Sequence, residues 1–275
     1  MQYTDVFHHI PKAAGTTLSL IAQRQYPLKH TFRILGAKKA TIRNFRKLPP
    51  STRARFRLIY GHQAFQLLNH THSPRLVTML RDPVRRVVSL YYYVKYTNHK
   101  HVLTPLTQRY SLTEFFKNHI DADWPEFRNG QVASIRGILS SRLCRKLPHS
   151  TEFSAIKYAL RKYILFGLTE QFDESILLFR LRLGWEKPVY YQKKNVTSYD
   201  RELPAWLIEY IRQNNEDDVD LYAFAKQEFR SALEQHTQIQ EQLKRFRYWN
   251  SFLGPYYSQI DHLKSLCFRL RHYQS

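Results

Sequence analysis

A lysine, a glycine and two threonines lie close together near the start of the chain, in the stretch Pro11-Lys12-Ala13-Ala14-Gly15-Thr16-Thr17. The apolar run before this stretch predicts a buried strand, and the apolar residues after it predict a helix capped by Thr16 or Thr17. A loop that enters a helix N-terminus presents unpaired backbone amides and the positive end of the helix dipole to an anion. Together with the lysine ammonium and the hydroxyls, this stretch predicts a phosphate or sulfate site.

The order of these residues differs from that of a nucleoside-triphosphate P-loop, in which the lysine directly follows the last glycine. Here Lys12 precedes Gly15, so we expect it on the strand side of the loop, beside the group that leaves the bound phosphate. An ordinary strand-to-helix turn with an exposed lysine explains this stretch equally well when it is taken alone.

A histidine follows the next predicted strand. Arg57-Leu58-Ile59-Tyr60 predicts a strand that Gly61 ends, and His62 comes directly after it. Open α/β sheets bind ligands at the carboxyl ends of their strands, so His62 is a candidate general base at that edge. His8 and His9 are its rivals, and strand alternation predicts that one of them is a hydrogen-bonded core histidine.

A third predicted strand, Leu76–Leu80, runs into Arg81-Asp82-Pro83. Asp82 as N-cap and Pro83 in the first turn predict that a helix begins here, which places Arg81 at the same sheet edge. Ser89 lies two turns into this helix, where it can donate to a nearby phosphate. For Arg85 and Arg86, contact with an acidic acceptor and exposure to water both remain open.

Alternating strands and helices predict an α/β fold, with a central, mainly parallel sheet flanked by helices in three layers. We expect a domain over residues 1–230 and a helical C-terminal extension over 231–275 that folds back on it, forms an oligomer contact or lies on an anionic surface. Other predicted strands are 163–168 and 189–191. Other predicted helices are 41–46, 112–119, 131–143, 172–183, 232–246 and the chain from Pro204 onward.

The chain is strongly basic, with 43 Lys and Arg against 22 Asp and Glu, a net charge of +21 and a pI near 10.0. This charge predicts an anionic partner such as a nucleotide, nucleic acid, acidic polysaccharide or anionic membrane. Two widely separated cysteines, Cys144 and Cys267, predict neither a zinc site nor a disulfide framework. We expect no transmembrane segment, because no apolar run is long enough.

The first loop and the Arg81 stretch, in this order and each after a strand, resemble the carbohydrate sulfotransferases that use 3′-phosphoadenosine 5′-phosphosulfate. The nearest likeness is to the heparan and dermatan sulfate 2-O-sulfotransferase branch. In that family PK-x-x-x-[ST]-[ST] binds the 5′-phosphosulfate, and R-D-P with a serine eight residues after the arginine binds the 3′-phosphate. Pro11–Thr17, Arg81–Pro83 and Ser89 match these motifs, and the likeness continues to about residue 230 through Asn129-Gly130-Gln131, Gly167–Glu170 and Asp220-Leu221-Tyr222.

The resemblance implies a P-loop-like fold and sulfuryl transfer to a carbohydrate hydroxyl without a metal, with adenosine 3′,5′-bisphosphate as the nucleotide product. It implies that His62 is the base and that Lys12 stabilises the leaving group. The implied nucleotide-binding residues are Lys12, Ala13, Ala14, Gly15, Thr16, Thr17, Arg81, Ser89, Lys193, Lys194 and Asn195. The last three belong to a loop that closes over the nucleotide in this family, and a solvated basic loop is the alternative for them.

Two departures from the family concern the acceptor and the compartment. Glycosaminoglycan 2-O-sulfotransferases have His-Gly-His where this chain has Tyr60-Gly61-His62, which leaves the acceptor open. Those enzymes are anchored in the Golgi by an N-terminal span, which we do not expect in this chain. We therefore expect a cytoplasmic protein, with a luminal Golgi-type domain trimmed of its anchor as the alternative. The sequence does not determine the oligomeric state.

Two other functions are compatible with parts of the sequence. A P-loop kinase would bind a nucleotide at the first loop, but the chain lacks the Gly-Lys-Ser/Thr order and an acidic strand end for magnesium. A non-catalytic polyanion or nucleic-acid binder would explain the net charge of +21. We expect no specific nucleic-acid partner, because the motif pair favours a nucleotide and a carbohydrate.

Overall fold

The computed structural model describes residues 3–34, 38–98, 100–118, 124–141, 144, 151–193 and 202–272, without the side chains of Lys38 and of 265–272. Five parallel strands form one sheet in the order β2-β3-β1-β4-β5. The strands are β1 Thr4–His8, β2 Thr31–Arg33, β3 Leu58–Gly61, β4 Pro74–Leu80 and β5 Ile164–Leu168. The predicted α/β class with a parallel central sheet is therefore confirmed.

Both faces of the sheet are covered, so β1 and β3 are buried along their whole length, including the polar residues Thr4, Asp5 and His8 of β1. Val6 in β1 lies between Ile59 of β3 and Leu76 of β4, and all three side chains are buried. Since the strands are parallel, their carboxyl ends lie at one edge. The segments that follow β1, β3, β4 and β5 therefore start from that edge.

Twelve helices surround the sheet or extend from it in the described part of the chain. They are α1 Gly15–Gln25, α2 Lys38–Lys47, α3 Pro50–Arg53, α4 Pro83–Tyr96, α5 Thr104–Arg109, α6 Leu112–Asn118, α7 Gly130–Leu139, α8 Glu152–Tyr163, α9 Phe172–Leu183, α10 Ala205–Gln213, α11 Glu216–Glu234 and α12 Thr237–His272. One core cluster packs around the sheet, and a second lies between α4, α5, α6 and α10.

The strand predictions differ from the structure at two places. The edge strand β2 was not predicted, because three residues with a single fully apolar side chain carry no alternation signal. The predicted strand at 189–191 is wrong, since this segment has no strand neighbour among the described residues. Val189 and Tyr191 are nevertheless buried, so their apolar character serves packing against helices instead.

The helix predictions agree with the structure at 41–46 and 172–183, which lie within α2 and α9. The predicted helix 131–143 ends earlier, at Leu139. The predicted helix 232–246 is wrong as a single element, because α11 ends at Glu234 and α12 begins at Thr237. The domain boundary expected near residue 230 stays a prediction and falls inside α11. His119 and Leu143 lie outside the described residues.

A buried ion pair connects α4 to α11. Arg86 Nε lies 3.6 Å from Asp218 Oδ2, and the two side chains are 2% and 0% exposed. Asp218 also accepts hydrogen bonds from the backbone amides of Gln131 and Val132 at the start of α7. Arg86 therefore neither faces water nor meets a ligand. Its guanidinium leaves no room for a side chain at position 130, because a Cβ on Gly130 would lie 2.8 Å from Arg86 Nη1.

The long C-terminal helix α12 packs on the body of the protein through Ile239, Leu243 and Phe246, which are buried. It contacts α9 and α1, and Arg24 of α1 forms a buried ion pair with Asp261 at 3.1 Å. Helix α12 thus lies against α9 and α1, and the division into a domain and a C-terminal extension stays a prediction. No helix in the described ranges is long and apolar enough to span a membrane.

Candidate active site

A cleft of about 1110 Å³ lies at the carboxyl edge of the sheet, where the loops after β1, β3, β4 and β5 meet. Its walls include most of the residues that the sequence singled out, namely Lys12, Ala14, Gly15, Thr16, Thr17, His62, Arg81, Ser89 and Lys193. Ala13 is fully buried behind the loop and does not line the cleft. Lys194 and Asn195 lie outside the described residues.

The loop after β1 turns sharply to reach α1. Lys12 and Ala14 have φ values of 66° and 54°, in the left-handed region that costs a non-glycine residue about 1 kcal/mol or more. Helix α1 begins at Gly15 with Ala14 as its N-cap, so Thr16 and Thr17 lie in the first turn and the predicted threonine cap is wrong. The backbone N–H of Leu18 donates to the carbonyl oxygen of Ala14, so the amides of 14–16 precede the helical hydrogen bonds and point toward an anion at the start of α1.

Gly15 allows the first loop to pack closely against a histidine. A Cβ at position 15 would lie 1.9 Å from His9 Cδ2 and 2.5 Å from His9 Cγ, so even alanine would displace the ring. His9 in turn stacks on His62, with ring centroids 4.3 Å apart and planes 16° apart. The glycine of the anion loop therefore helps to determine where the candidate base lies.

Lys12 stands over an aromatic ring that faces the cleft. Its Nζ lies 4.1 Å from the centroid of the Tyr93 ring, within the range of a cation–π contact. Burial, followed by the nearby charge of Arg81, lowers the pKa of Lys12 to about 8. Tyr93 was not predicted as a site residue, although it lies one helical turn beyond Ser89 and so on the same face of α4.

Arg81 connects the two stretches that the sequence predicts to bind anions. Its Nη1 donates to the carbonyl oxygen of Lys12 at 3.0 Å, and its Nε lies 4.0 Å from Glu170 Oε1. The side-chain amide of Gln131 pairs with both the backbone N–H and the backbone carbonyl of Arg81, at 2.8 and 2.9 Å. Arg81 Nε is buried and has no hydrogen-bond partner among the described residues.

Helix α4 carries the remaining predicted contact on this side of the cleft. Asp82 caps it, as predicted, by accepting from the backbone N–H of Arg85 at 2.9 Å. Ser89 is only 4% exposed and lines the cleft two turns later. Glu170 holds the start of α4 by accepting from the Asp82 amide at 3.2 Å and from the Tyr222 hydroxyl at 2.6 Å.

His62 is oriented by a backbone carbonyl. Its Nδ1 lies 2.9 Å from the carbonyl oxygen of His9, and the carbonyl can only accept, so we assign the proton to Nδ1. In the neutral ring the basic lone pair is then on Nε2. A histidine in this tautomer can take a proton at Nε2, and the carbonyl stabilises the cation that forms.

The two rival histidines have different positions. His8 is buried, and burial followed by the nearby charge of His62 lowers its pKa to about 3, so it is neutral. Neither of its ring nitrogens has a hydrogen-bond partner among the described residues, which corrects the expectation of a hydrogen-bonded core histidine. Its ring packs edge-on against Phe65 at 5.0 Å. His9 lines the cleft beside His62.

Tyr60, which stands where the resembling family has its first histidine, does not line the cleft. Its side chain is 3% exposed, within the core of β3, and burial raises the pKa of its hydroxyl to about 12. Tyr60, the residue that differs from the family's His-Gly-His, therefore lies behind the wall of the cleft. Within the described ranges, no group of three or more His, Cys, Asp or Glu side chains could hold a metal ion.

The fold and this cleft define an α/β protein in which the Lys12 loop, Arg81 and a histidine meet at the carboxyl edge of a parallel sheet. A scan against protein-family models and a search of curated proteins found no match to the chain.

Proposed function

We propose that this protein is a sulfotransferase with a P-loop-like fold that moves the sulfuryl group of 3′-phosphoadenosine 5′-phosphosulfate to a carbohydrate hydroxyl. The observation that carries the proposal is the arrangement of one cleft. It joins the Lys12 loop to Arg81 through the 3.0 Å bond to the Lys12 carbonyl, and it includes Ser89 and His62 in its walls. A donor with phosphates at both its 5′ and 3′ positions needs two such anion-binding elements.

The residues present fit such a nucleotide. The amides of 14–16 and the hydroxyls of Thr16 and Thr17 supply neutral donors for the 5′-phosphate, and Arg81 in the cleft wall supplies a guanidinium for the 3′-phosphate. A cleft of about 1110 Å³ exceeds the usual range of about 300–1,000 Å³ for small-molecule sites. It therefore leaves room for an acceptor beside the nucleotide.

Each residue has a distinct task in the proposed reaction. When bound, the donor supplies a neutral SO₃ unit that passes in line between two oxygens through a loose transition state, as in phosphoryl transfer. Lys12 stabilises the negative charge that grows on the leaving oxygen, and the first-turn amides are in place before the reaction begins. Arg81 and Ser89 hold the 3′-phosphate, and Lys193 adds a cation to the cleft wall.

His62 removes the acceptor proton in this proposal. Its Nε2 takes the proton from the hydroxyl as the oxygen bonds to sulfur, while Nδ1–H keeps its bond to the His9 carbonyl. The stacked His9 ring and the packing of Gly15 restrict the movement of the imidazole. The acceptor oxygen, rather than water, is then the nucleophile.

A non-catalytic polyanion binder is the second candidate, and the net charge of +21 favours it. Such a protein would bind DNA or RNA with an affinity that falls steeply with salt and does not depend on nucleotide. The lowered pKa of Lys12 and the position of Arg81 in the cleft wall favour the enzyme instead, because a polyanion-binding surface needs exposed cations rather than a cleft.

Isothermal titration with adenosine 3′,5′-bisphosphate, in the presence of a chelator, tests the proposal. We expect saturable binding by the wild type and a Kd higher by about 10-fold or more in Lys12→Ala and in Arg81→Ala, since each removes a charge-assisted contact of about 1.5–3 kcal/mol. Arg55→Ala is the control, because it removes the same charge from an exposed position outside the cleft. Equal, weak binding by all four proteins would contradict the proposal.

The pH dependence of binding follows from Lys12. Its pKa is lowered to about 8, so it is charged below that pH and loses its proton above it. A bound anion favours the charged form, so binding takes up a proton above pH 8, and we expect the Kd to rise by about 10-fold between pH 7 and pH 9.5. Lys12→Met should show a flat profile over this range. A flat profile in the wild type would show that Lys12 does not contact the anion.

A further inference from the structure

A short segment connects the helical layer to the cleft. Residues 189–193, called here the Tyr191 segment, follow α9 and include Tyr191 and Lys193, which both line the cleft. The segment is neither helix nor strand. Among the described residues, its backbone pairs with side chains of other elements rather than with a neighbouring strand.

Helix α12 makes the closest contacts with this segment. The backbone N–H of Tyr191 donates to Asn250 Oδ1 at 2.7 Å. One turn further along α12, Gly254 lies so close that a Cβ there would stand 2.5 Å from the carbonyl oxygen of Tyr191. Asn250 thus bonds the backbone amide of Tyr191, and the absence of a side chain at Gly254 one turn later lets α12 approach the Tyr191 carbonyl closely.

The neighbouring tyrosine is held by the same helix. The ring of Tyr190 stacks on Phe246 of α12, with centroids 5.6 Å apart and planes 12° apart. The carbonyl oxygen of Tyr190 accepts from Arg24 Nη2 at 2.6 Å, and Arg24 pairs with Asp261 of α12. Two successive residues of the segment therefore depend on α12 for their position.

The Tyr191 side chain completes the connection. Its hydroxyl donates to Asp173 Oδ1 at 2.7 Å, and Asp173 Oδ2 lies 3.0 Å from Arg247 Nε of α12. Its ring packs against Phe172, another residue of the cleft wall, at 4.7 Å. The segment is thus fixed between α9 and α12.

We propose that α12 positions the Tyr191 segment in the wall of the cleft and so presents Lys193 to a bound anion, with Asn250 and Gly254 as the positioning residues. The identity of that anion as a nucleotide rests on the proposed function. A segment without strand neighbours has many conformations to lose on binding, and contacts that order it beforehand lower that cost. The C-terminal extension then contributes to ligand affinity without touching the ligand.

Two variants of Asn250 test the hydrogen bond. Asn250→Leu keeps the size but removes the acceptor, whereas Asn250→Asp keeps an oxygen at the same place. We expect Asn250→Leu to raise the Kd for adenosine 3′,5′-bisphosphate by about 10-fold and Asn250→Asp to remain within about 3-fold of the wild type. Hydrogen exchange of the Tyr191 amide should be faster in Asn250→Leu and protected in Asn250→Asp, with or without nucleotide.

Gly254→Ala tests the close approach of the helix. Gly254 precedes Pro255 within α12, where a Cβ also crowds the proline ring, so the far-ultraviolet circular dichroism of the variant must match the wild type before a weaker affinity is assigned to the displaced segment. Phe252→Ala is the matched control, because Phe252 lies on the same helix with its ring 62% exposed. We expect Gly254→Ala to raise the Kd by about 10-fold, whereas Phe252→Ala should bind like the wild type.

A double-mutant cycle separates positioning from general destabilisation. If Asn250 acts through Lys193, then Asn250→Leu should have a much smaller effect on the Kd in a Lys193→Ala background. Full additivity, or a Kd unchanged by Asn250→Leu, would overturn the inference. If the wild type binds no nucleotide, the proposed function fails and hydrogen exchange decides this inference alone, with unchanged Tyr191 exchange in Asn250→Leu overturning it.

Discussion

Replacing His62 with alanine is expected to leave nucleotide binding intact and to lower the rate of sulfuryl transfer by about 100-fold or more. The nucleotide in the proposed reaction is held by the Lys12 loop, Arg81 and Ser89. The charges of Lys12 and Arg81 do not depend on the imidazole. The acceptor proton has no comparable substitute, because water at neutral pH is a poor base. The loss should therefore appear in kcat rather than in the Kd of the nucleotide.

Transfer of labelled sulfate from the donor to a panel of sugars and polysaccharides would measure this effect and identify the acceptor. His72→Ala is the matched control, since His72 is exposed and lies outside the cleft. Added imidazole should restore part of the activity of His62→Ala, because the space left by the ring lies next to the cleft. Near-normal turnover in His62→Ala would assign the base to another residue, and His9 would be the first to test.

The second large effect concerns stability. We expect Asp218→Ala to lower the free energy of unfolding by about 3–5 kcal/mol, the usual cost of removing one partner from a buried ion pair. Arg86 would remain in the core, 1% exposed, without its counter-charge. The amides of Gln131 and Val132 would also lose their acceptor at the start of α7. Urea denaturation of both proteins would measure the difference.

A double variant makes this prediction sharper. Arg86→Met combined with Asp218→Leu should be less destabilising than Asp218→Ala alone, because no unpaired charge is left in the core. Arg136→Ala serves as the control, since Arg136 and Glu152 form an ion pair with side chains 51% and 56% exposed, and such pairs contribute about 0–1 kcal/mol. A loss below about 1 kcal/mol in Asp218→Ala would contradict the importance of the buried pair.

The buried Arg86–Asp218 ion pair also affects the position of Arg81 in the cleft. Asp218 holds the backbone amide of Gln131, and the side chain of Gln131 holds the backbone of Arg81 at 2.8 and 2.9 Å. Asp218→Ala should therefore weaken nucleotide binding even under conditions in which the protein remains folded. The sequence motif around Arg81 is short, but the groups that orient it come from α7 and α11.

The main strands and most helices were predictable because their signals are local. Buried parallel strands are rich in apolar and β-branched residues, as in Leu76–Leu80, and glycine or proline marks the ends of several of them. The α4 start at Asp82-Pro83 carries its own capping signal. Segments such as 189–191 have the same apolar character as strands, and only the absence of a strand neighbour distinguishes them. That distinction is not encoded within three residues.

The sequence by itself determined which chemical groups follow the strands. They are Lys12 with the first-turn amides, His62, and Arg81 with Ser89 two helical turns later. It could do so because the order of residues along a chain decides what lies at a strand end and on a helix face. Only the tertiary structure decided how these groups act on one another. Four features depend on residues that are far apart in sequence. They are the Arg81–Lys12 hydrogen bond, the tautomer of His62, the lowered pKa of Lys12 and the contact of α12 with Tyr191. Such contacts depend on packing and burial, which no local pattern specifies.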